Sequence, residues 1–465
     1  MSLPTPGDYL AELALQPPAH RRFLDYVGRH PEGLLPEPFA ALMGPDDPFI
    51  RGPLQPWPAF IDREHVEKME RASVDLCRII KTLPERVFQN DPEAIAEFYG
   101  IDRDIALVAA SYIARVGRLH EATARGDFID TLDGFRCIEL NVAGNLGGFE
   151  TALWFERYAR VPYLQRYFGE SGLRFQVTDS MRELFAHVID GALRLTAPGE
   201  PVSAVMVSER VMEPEWRETV DRVYGEVAAT RGRRGRFADA PPSDLFARDG
   251  KIYFGGWGQE ERVSVLVETI GTLTLPVFGA AMSGMIDVHV GPTSRLLSDK
   301  LNLALLSEAV ENGDEWLDAE ERRIVETTVP WTRRLAEEFV TWRGERVYLP
   351  DLLIAERERL ILKLGYSLAG QDVYSGRGHS DASWSDLVRM ALEQPGWVAQ
   401  EFQVSRPYLF QGPGGGCVPH DVTWGPFVCG DRYCGCFLRL QPSGGSGVIN
   451  VTRGSTQGLV LEVED

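Results

Sequence analysis

The chain of 465 residues has no uninterrupted apolar run approaching the ~18 residues of a membrane span, so no segment reads as a bilayer helix. Cysteine is scarce, and two of the six, Cys77 and Cys137, lie far from the other four. That is not the dense framework of a small secreted domain, and reduced thiols are expected. Basic residues are outnumbered, 48 Lys and Arg against 68 Asp and Glu, and a net charge of −20 repels nucleic-acid backbones and anionic lipid surfaces. No nucleic-acid or membrane partner is therefore expected. The N-terminal stretch lacks the basic region and apolar core of an export signal, which favours a cytoplasmic protein. No internal repeat is present, and a composition of 44% hydrophobic and 25% charged residues belongs to a chain that folds.

Prolines crowd the segment up to residue 60, which is expected to wrap over a core, and helical spacing predicts helices over 62–81 and 104–119. A short strand at 135–140, a Gly- and Asn-rich loop and a helix at 149–160 follow. Apolar, β-branched strands at 202–207 and 263–267 alternate with amphipathic helices at 181–195 and 213–229. Further helices are predicted at 298–310, 318–328, 331–342 and 383–393, with strands at 359–364 and 397–402. The tail beyond Gly412 is Gly-rich with interspersed strands and ends in a β-prone GLVLEVE segment. The fold class expected is α/β (α+β). Three parts are predicted: a helical wrapping region over 1–120, a hairpin part with an inserted α/β domain over 121–295, and a last part over 296–465. The basic run Arg231–Arg236 reads as a solvated loop.

Chemistry concentrates in a few places. Glu139 and Asn141, two apart on a strand, point the same way, and a carboxylate beside an amide carbonyl suits a hard cation. Asp127 joins them if Asp133-Gly134 turns the chain back into a hairpin. Such oxygen donors fit Mg²⁺, which completes its shell with water and substrate phosphate. They also fit ordinary polar positions at strand ends. Lys363 closes an apolar strand, a costly place for a charge unless it meets an anion, and Gly365 and Gly370 follow. Neither a Walker A loop nor a dinucleotide fingerprint is present. Gln400-Glu401 ends another apolar strand, an edge suited to an adenine ring, and Lys300 opens a helix from which it can reach phosphate. Each lysine alone also reads as a solvated surface residue. Cys417, Cys429, Cys434 and Cys436, with His420 among them, lack the paired C-x₂-C knuckles of zinc ribbons, and reduced thiols fit better. Arg439 and Arg453 are each suited to hold a carboxylate but receive no assigned role.

Taken in order, Arg125-x-Asp127, Glu139-x-Asn141, Lys300, Lys363 with its glycines, and Gln400-Glu401 resemble the circularly permuted ATP-grasp family, the group that includes glutathionylspermidine synthetase. The order is the reverse of the usual ATP-grasp arrangement, and the resemblance spans roughly residues 125 to 455. It implies an ATP site between two α+β subdomains, with Mg²⁺ held by Asp127, Glu139 and Asn141. It assigns Arg125, Lys300 and Lys363 to catalysis, ATP contacts to Lys300, Lys363, Gly365, Gly370, Gln400 and Glu401, and a lid to Gly365–Gly378. The implied activity is ADP-forming ligation of a carboxylate to an amine through an acyl phosphate, on small amino-acid or peptide-like substrates, in a protein compatible with a homodimer. No residue names a glutathione or polyamine site, so the substrate is not carried over. Kinase-type phosphoryl transfer and a non-catalytic nucleotide-binding partner protein are the alternatives.

Overall fold

The computed structural model describes residues 3–35, 50, 52–144, 146–208, 212–268, 274–367, 371–445, 449 and 454–464. Several of its helices begin where the sequence provides caps. The Asp62 side chain accepts from the His65 N–H at the start of helix Arg63–Arg86, which buries Met69, Leu76, Ile80 and Leu83 at helical spacing. Helix Arg103–Val116 is capped by Asp102, and Gly117 ends it in the left-handed conformation, short of the expected 119. Asp318 and Glu321 form a reciprocal capping box at the head of Ala319–Thr328.

Three sheets organise the molecule. The largest is antiparallel, in the order Thr456–Gly458, Arg432–Pro442, Cys417–Cys429, Thr123–Thr131, Gly134–Val142, with Tyr408–Gln411 also on Cys417–Cys429. Helix Arg63–Arg86 packs across it. A second sheet is wholly parallel, in the order Asp287–His289, Val265–Glu268, Ala204–Val207, Phe237–Ala240, and helices Ser180–Leu193 and Pro214–Thr230 bury their apolar faces in the same core. The third, here the lysine sheet, runs Thr332–Arg334, Trp397–Glu401, Leu360–Leu364, Val373–Ser375, all antiparallel. Its own core joins Leu360, Leu362, Trp397 and Ala399 to Leu352, Leu353 and Trp384. The mixture of parallel and antiparallel sheets with helices is α+β. Among the described residues no helix is long and apolar enough to cross a membrane.

Several expectations need revision. The predicted helix at 331–342 is instead strands Thr332–Arg334 and Phe339–Trp342. The second forms a hairpin with Glu345–Tyr348 through Arg343 and Gly344, whose φ values of 52° and 85° suit a primed turn. The predicted strand at 263–267 is divided. Glu261–Val263 pairs with Lys251–Phe254, while Val265–Glu268 joins the parallel sheet. The proline-rich start also enters the core, because Phe23, Trp57 and Phe60 are wholly buried and pack edge-on or tilted against one another. Beside them Ala59–Asp62 pairs in parallel with Val460–Glu464, which pairs in turn with Arg174–Gln176.

Candidate active site

The predicted hairpin is present. Thr123–Thr131 turns through Leu132-Asp133, one residue earlier than the expected Asp133-Gly134, and returns as Gly134–Val142, whose first residue, at φ 115°, pairs with Thr131, setting Asp127 opposite Glu139 and Arg125 opposite Asn141. A bulge directly after Asp127 shifts the register beyond it. One face of the hairpin thus presents Arg125, Asp127, Glu139 and Asn141 together.

The lysine sheet meets this face. Alternation along Leu360–Leu364 points Leu360 and Leu362 into their own core and Lys363 the other way, where its Nζ donates to Ile138 O at 2.8 Å and to Gln400 Oε1 at 2.7 Å. Gln400 Nε2 in turn donates to Thr332 Oγ1 at 3.1 Å, which fixes the amide that orients the lysine. Lys300 stands just before helix Leu301–Asn312, with its backbone N–H on Gly365 O at 2.9 Å and its Nζ 3.1 Å from Glu139 Oε1. Ser298 ties the same turn to the hairpin, accepting from Val142 N at 2.8 Å and donating to Val142 O at 3.1 Å. Both lysines are 3% exposed, so neither is the solvated surface residue that composition alone allows.

Burial lowers the Lys363 ammonium from its ordinary value to about 8, and the Glu139 charge only partly opposes this. Asp127 shows the reverse balance. Burial pushes its carboxyl up, yet Arg439 and Arg125 together outweigh burial and hold it below the usual carboxylate range. Arg439 Nη2 lies 2.6 Å from Asp127 Oδ1 and Arg125 Nε lies 3.4 Å from it. Both guanidinium groups lie near the Phe437 ring, at 5.7 Å and 5.6 Å from its centroid. Arg125 also donates to the Leu146 and Gly147 carbonyls, so it anchors the loop after the hairpin.

Two members of the cluster carried no predicted role. Arg439 sits between Leu438 and Leu440 on a strand, and a charge alternating with buried leucines is the signal that could have singled it out. Asp299 is 5% exposed, with its carboxyl raised to about 6 by burial. Its Oδ1 accepts from Leu301 N–H and presses on Gly365, where a Cβ would stand only 2.4 Å away. Other predicted positions lie apart. Glu401 pairs with Arg343 at 3.1 Å and spends its backbone N–H on Trp331 O, so only Gln400 of that pair joins the lysine. Gly370 and Arg453, and with Gly370 part of the Gly365–Gly378 segment, fall outside the described residues. Arg231–Arg236 makes local contacts, with Arg231 on Asp190 and Arg236 on Asp221. Cys417, Cys429, Cys434 and Cys436 are buried free thiols, and His420 meets the Val418 carbonyl.

Among the described residues no three His, Cys, Asp or Glu gather as ligands of a metal ion. The hairpin offers two carboxylates and one amide, and Asp127 Oδ1 is buried against the guanidinium groups of Arg439 and Arg125. Hard oxygen donors too few to enclose a cation fit Mg²⁺ arriving with phosphate oxygens.

No protein-family model matches the chain, and no curated protein matches it. Among solved structures, the chain is similar to a glutathione synthetase-like effector from Globodera pallida in its apo form. The TM-score is 0.55 at 12% identity, and the match covers 88% of this chain and 90% of that one. Identity that low carries the fold and nothing further. At this coarse level the chain shares the overall fold of that glutathione synthetase-like protein.

Proposed function

We propose that the chain is an ATP-dependent, ADP-forming carboxylate–amine ligase of circularly permuted ATP-grasp type. One observation carries this reading: Lys300 and Lys363, from separate elements, are both buried against a single stretch of the hairpin, Ile138–Glu139, beside Asp127. Four cations, Arg125, Lys300, Lys363 and Arg439, surround two carboxylates in a molecule whose net charge is −20. Such a buried surplus of positive charge is costly without an anionic ligand to hold, and it suits a polyphosphate.

In this mechanism the substrate carboxylate attacks the γ-phosphorus of ATP and ADP leaves. Lys300, Lys363 and Arg125 stabilise the charge on the transferred phosphoryl oxygens, and Gln400 keeps Lys363 aimed. Asp127, Glu139 and Asn141 would hold Mg²⁺, which supplies further charge neutralisation when bound. An amine then attacks the carbonyl carbon of the acyl phosphate, loses a proton and expels phosphate, leaving an amide. Small carboxylate and amine substrates of amino-acid or peptide-like chemistry are the class proposed.

The test is release of ADP and phosphate from Mg-ATP with pooled amino acids, peptides and polyamines, with products read by mass. A new mass equal to acid plus amine minus water is expected, and Asp127→Asn should lower ADP formation by about 100-fold with the fold retained. A stable phosphorylated product would instead make the protein a kinase. ATP binding without turnover in any pool would make it a nucleotide-binding partner protein.

A further inference from the structure

The charged groups of the hairpin face are already matched to one another. Glu139 Oε1 is 3.1 Å from Lys300 Nζ, and Asp127 Oδ1 is 2.6 Å from Arg439 and 3.4 Å from Arg125. The carboxylates suited to a cation therefore occupy the side chains suited to phosphate. A divalent cation arriving alone must draw Asp127 and Glu139 away from Arg439, Arg125 and Lys300, leaving buried positive charge without a counter-ion. A polyphosphate arriving alone must draw the cations away and leave two carboxylates unmatched. Either separation is strongly unfavourable where water is excluded, whereas the two ligands together give every group a new partner.

Arg439 is placed for such an exchange. It is fixed on its strand between Thr423 and Gln457, its Nη2 is 2.6 Å from Asp127 Oδ1, and its Nε is buried with no hydrogen-bond acceptor. Donors left in that state accept a better-aligned anion readily.

Building on the reading of this cluster as an ATP site, we propose that Arg439 and Lys300 are internal counter-ions that make divalent-cation binding and nucleotide binding conditional on each other. Neither ligand binds tightly alone, and each strengthens the other by about tenfold or more, within the 5- to 150-fold range of ordinary site coupling. The coupling is equal in both directions, as linkage requires.

The experiment uses the full chain. Mn²⁺ binding is followed by the electron paramagnetic resonance signal of the free ion, and binding of β,γ-methylene-ATP by calorimetry. Each is measured alone and with the other present, correcting for Mn²⁺–nucleotide complexes in solution. Arg439→Met removes the charge at Asp127 and should tighten Mn²⁺ binding in the absence of nucleotide by about tenfold while shrinking the coupling. Lys300→Met should do the same through Glu139, and serves if the arginine variant does not fold. Wild-type protein that binds the two probes independently, or variants whose Mn²⁺ affinity is unchanged or weaker, would overturn the proposal. Failure of both probes to bind even together would instead overturn the ATP site itself.

Discussion

Gly365 occupies a position with no room for a side chain. A Cβ there would meet Asp299 Oδ1 at 2.4 Å and the Gly396 carbonyl at 2.9 Å, and the same residue accepts from the Lys300 N–H. Gly365→Ala is expected to cost about 1–3 kcal/mol by overpacking, seen as a lower urea midpoint with unchanged slope. An unchanged midpoint would mean that Asp299 moves aside freely. Lys363 gives a pH prediction. Burial lowers its ammonium from the ordinary 10.5 to about 8 when folded, so the unfolded chain binds the extra proton between those values. The penalty for burying the charge is therefore full below pH 8 and relieved as pH rises toward 10.5. Wild-type unfolding free energy should gain on that of Lys363→Met across this window, and parallel pH profiles would refute the assignment. Nucleotide affinity should weaken over the same range as the charge is lost.

Elements were legible where one physical signal dominated. The hairpin could be read because its polar residues alternate with buried ones and Asp133-Gly134 signals a turn nearby, though the loop itself is Leu132-Asp133. Helix Ala319–Thr328 could be read because Asp318 and Glu321 announce its start. Asp318→Ala should cost about 1 kcal/mol in global stability, measured by denaturant unfolding, since it strips acceptors from the Glu320 and Glu321 N–H groups. No loss would show that helix to be held by packing alone. Thr332–Trp342 was misread as helix because Trp331, Leu335 and Trp342 also fit helical spacing, and only pairing with Trp397–Glu401 and the turn at Arg343-Gly344 decide for strands. The site divides in the same way. Asp127, Glu139 and Asn141 come from local periodicity, whereas Arg439 meets Asp127 only because distant strands share a sheet. No spacing in the chain encodes that contact.

At the scale of the whole molecule, the largest of the hydrophobic cores draws its buried residues from as far apart as Ala19 and Val463. The strand Val460–Glu464 is part of it, with Val460, Leu461 and Val463 buried and paired in register against Ala59–Asp62. Removing the residues after Gly458 should therefore lower the melting temperature of this core, as read by calorimetry, and not merely fray an end. A truncated chain that melted in one step at the wild-type temperature would refute this. The pairing of residues 59–62 with 460–463 also constrains the protein during its synthesis. As the nascent chain leaves the ribosome, the early strand and the aromatic side chains around Phe60 must wait, edge exposed, for a partner made about four hundred residues later. For that interval the edge stands open to pairing with other chains.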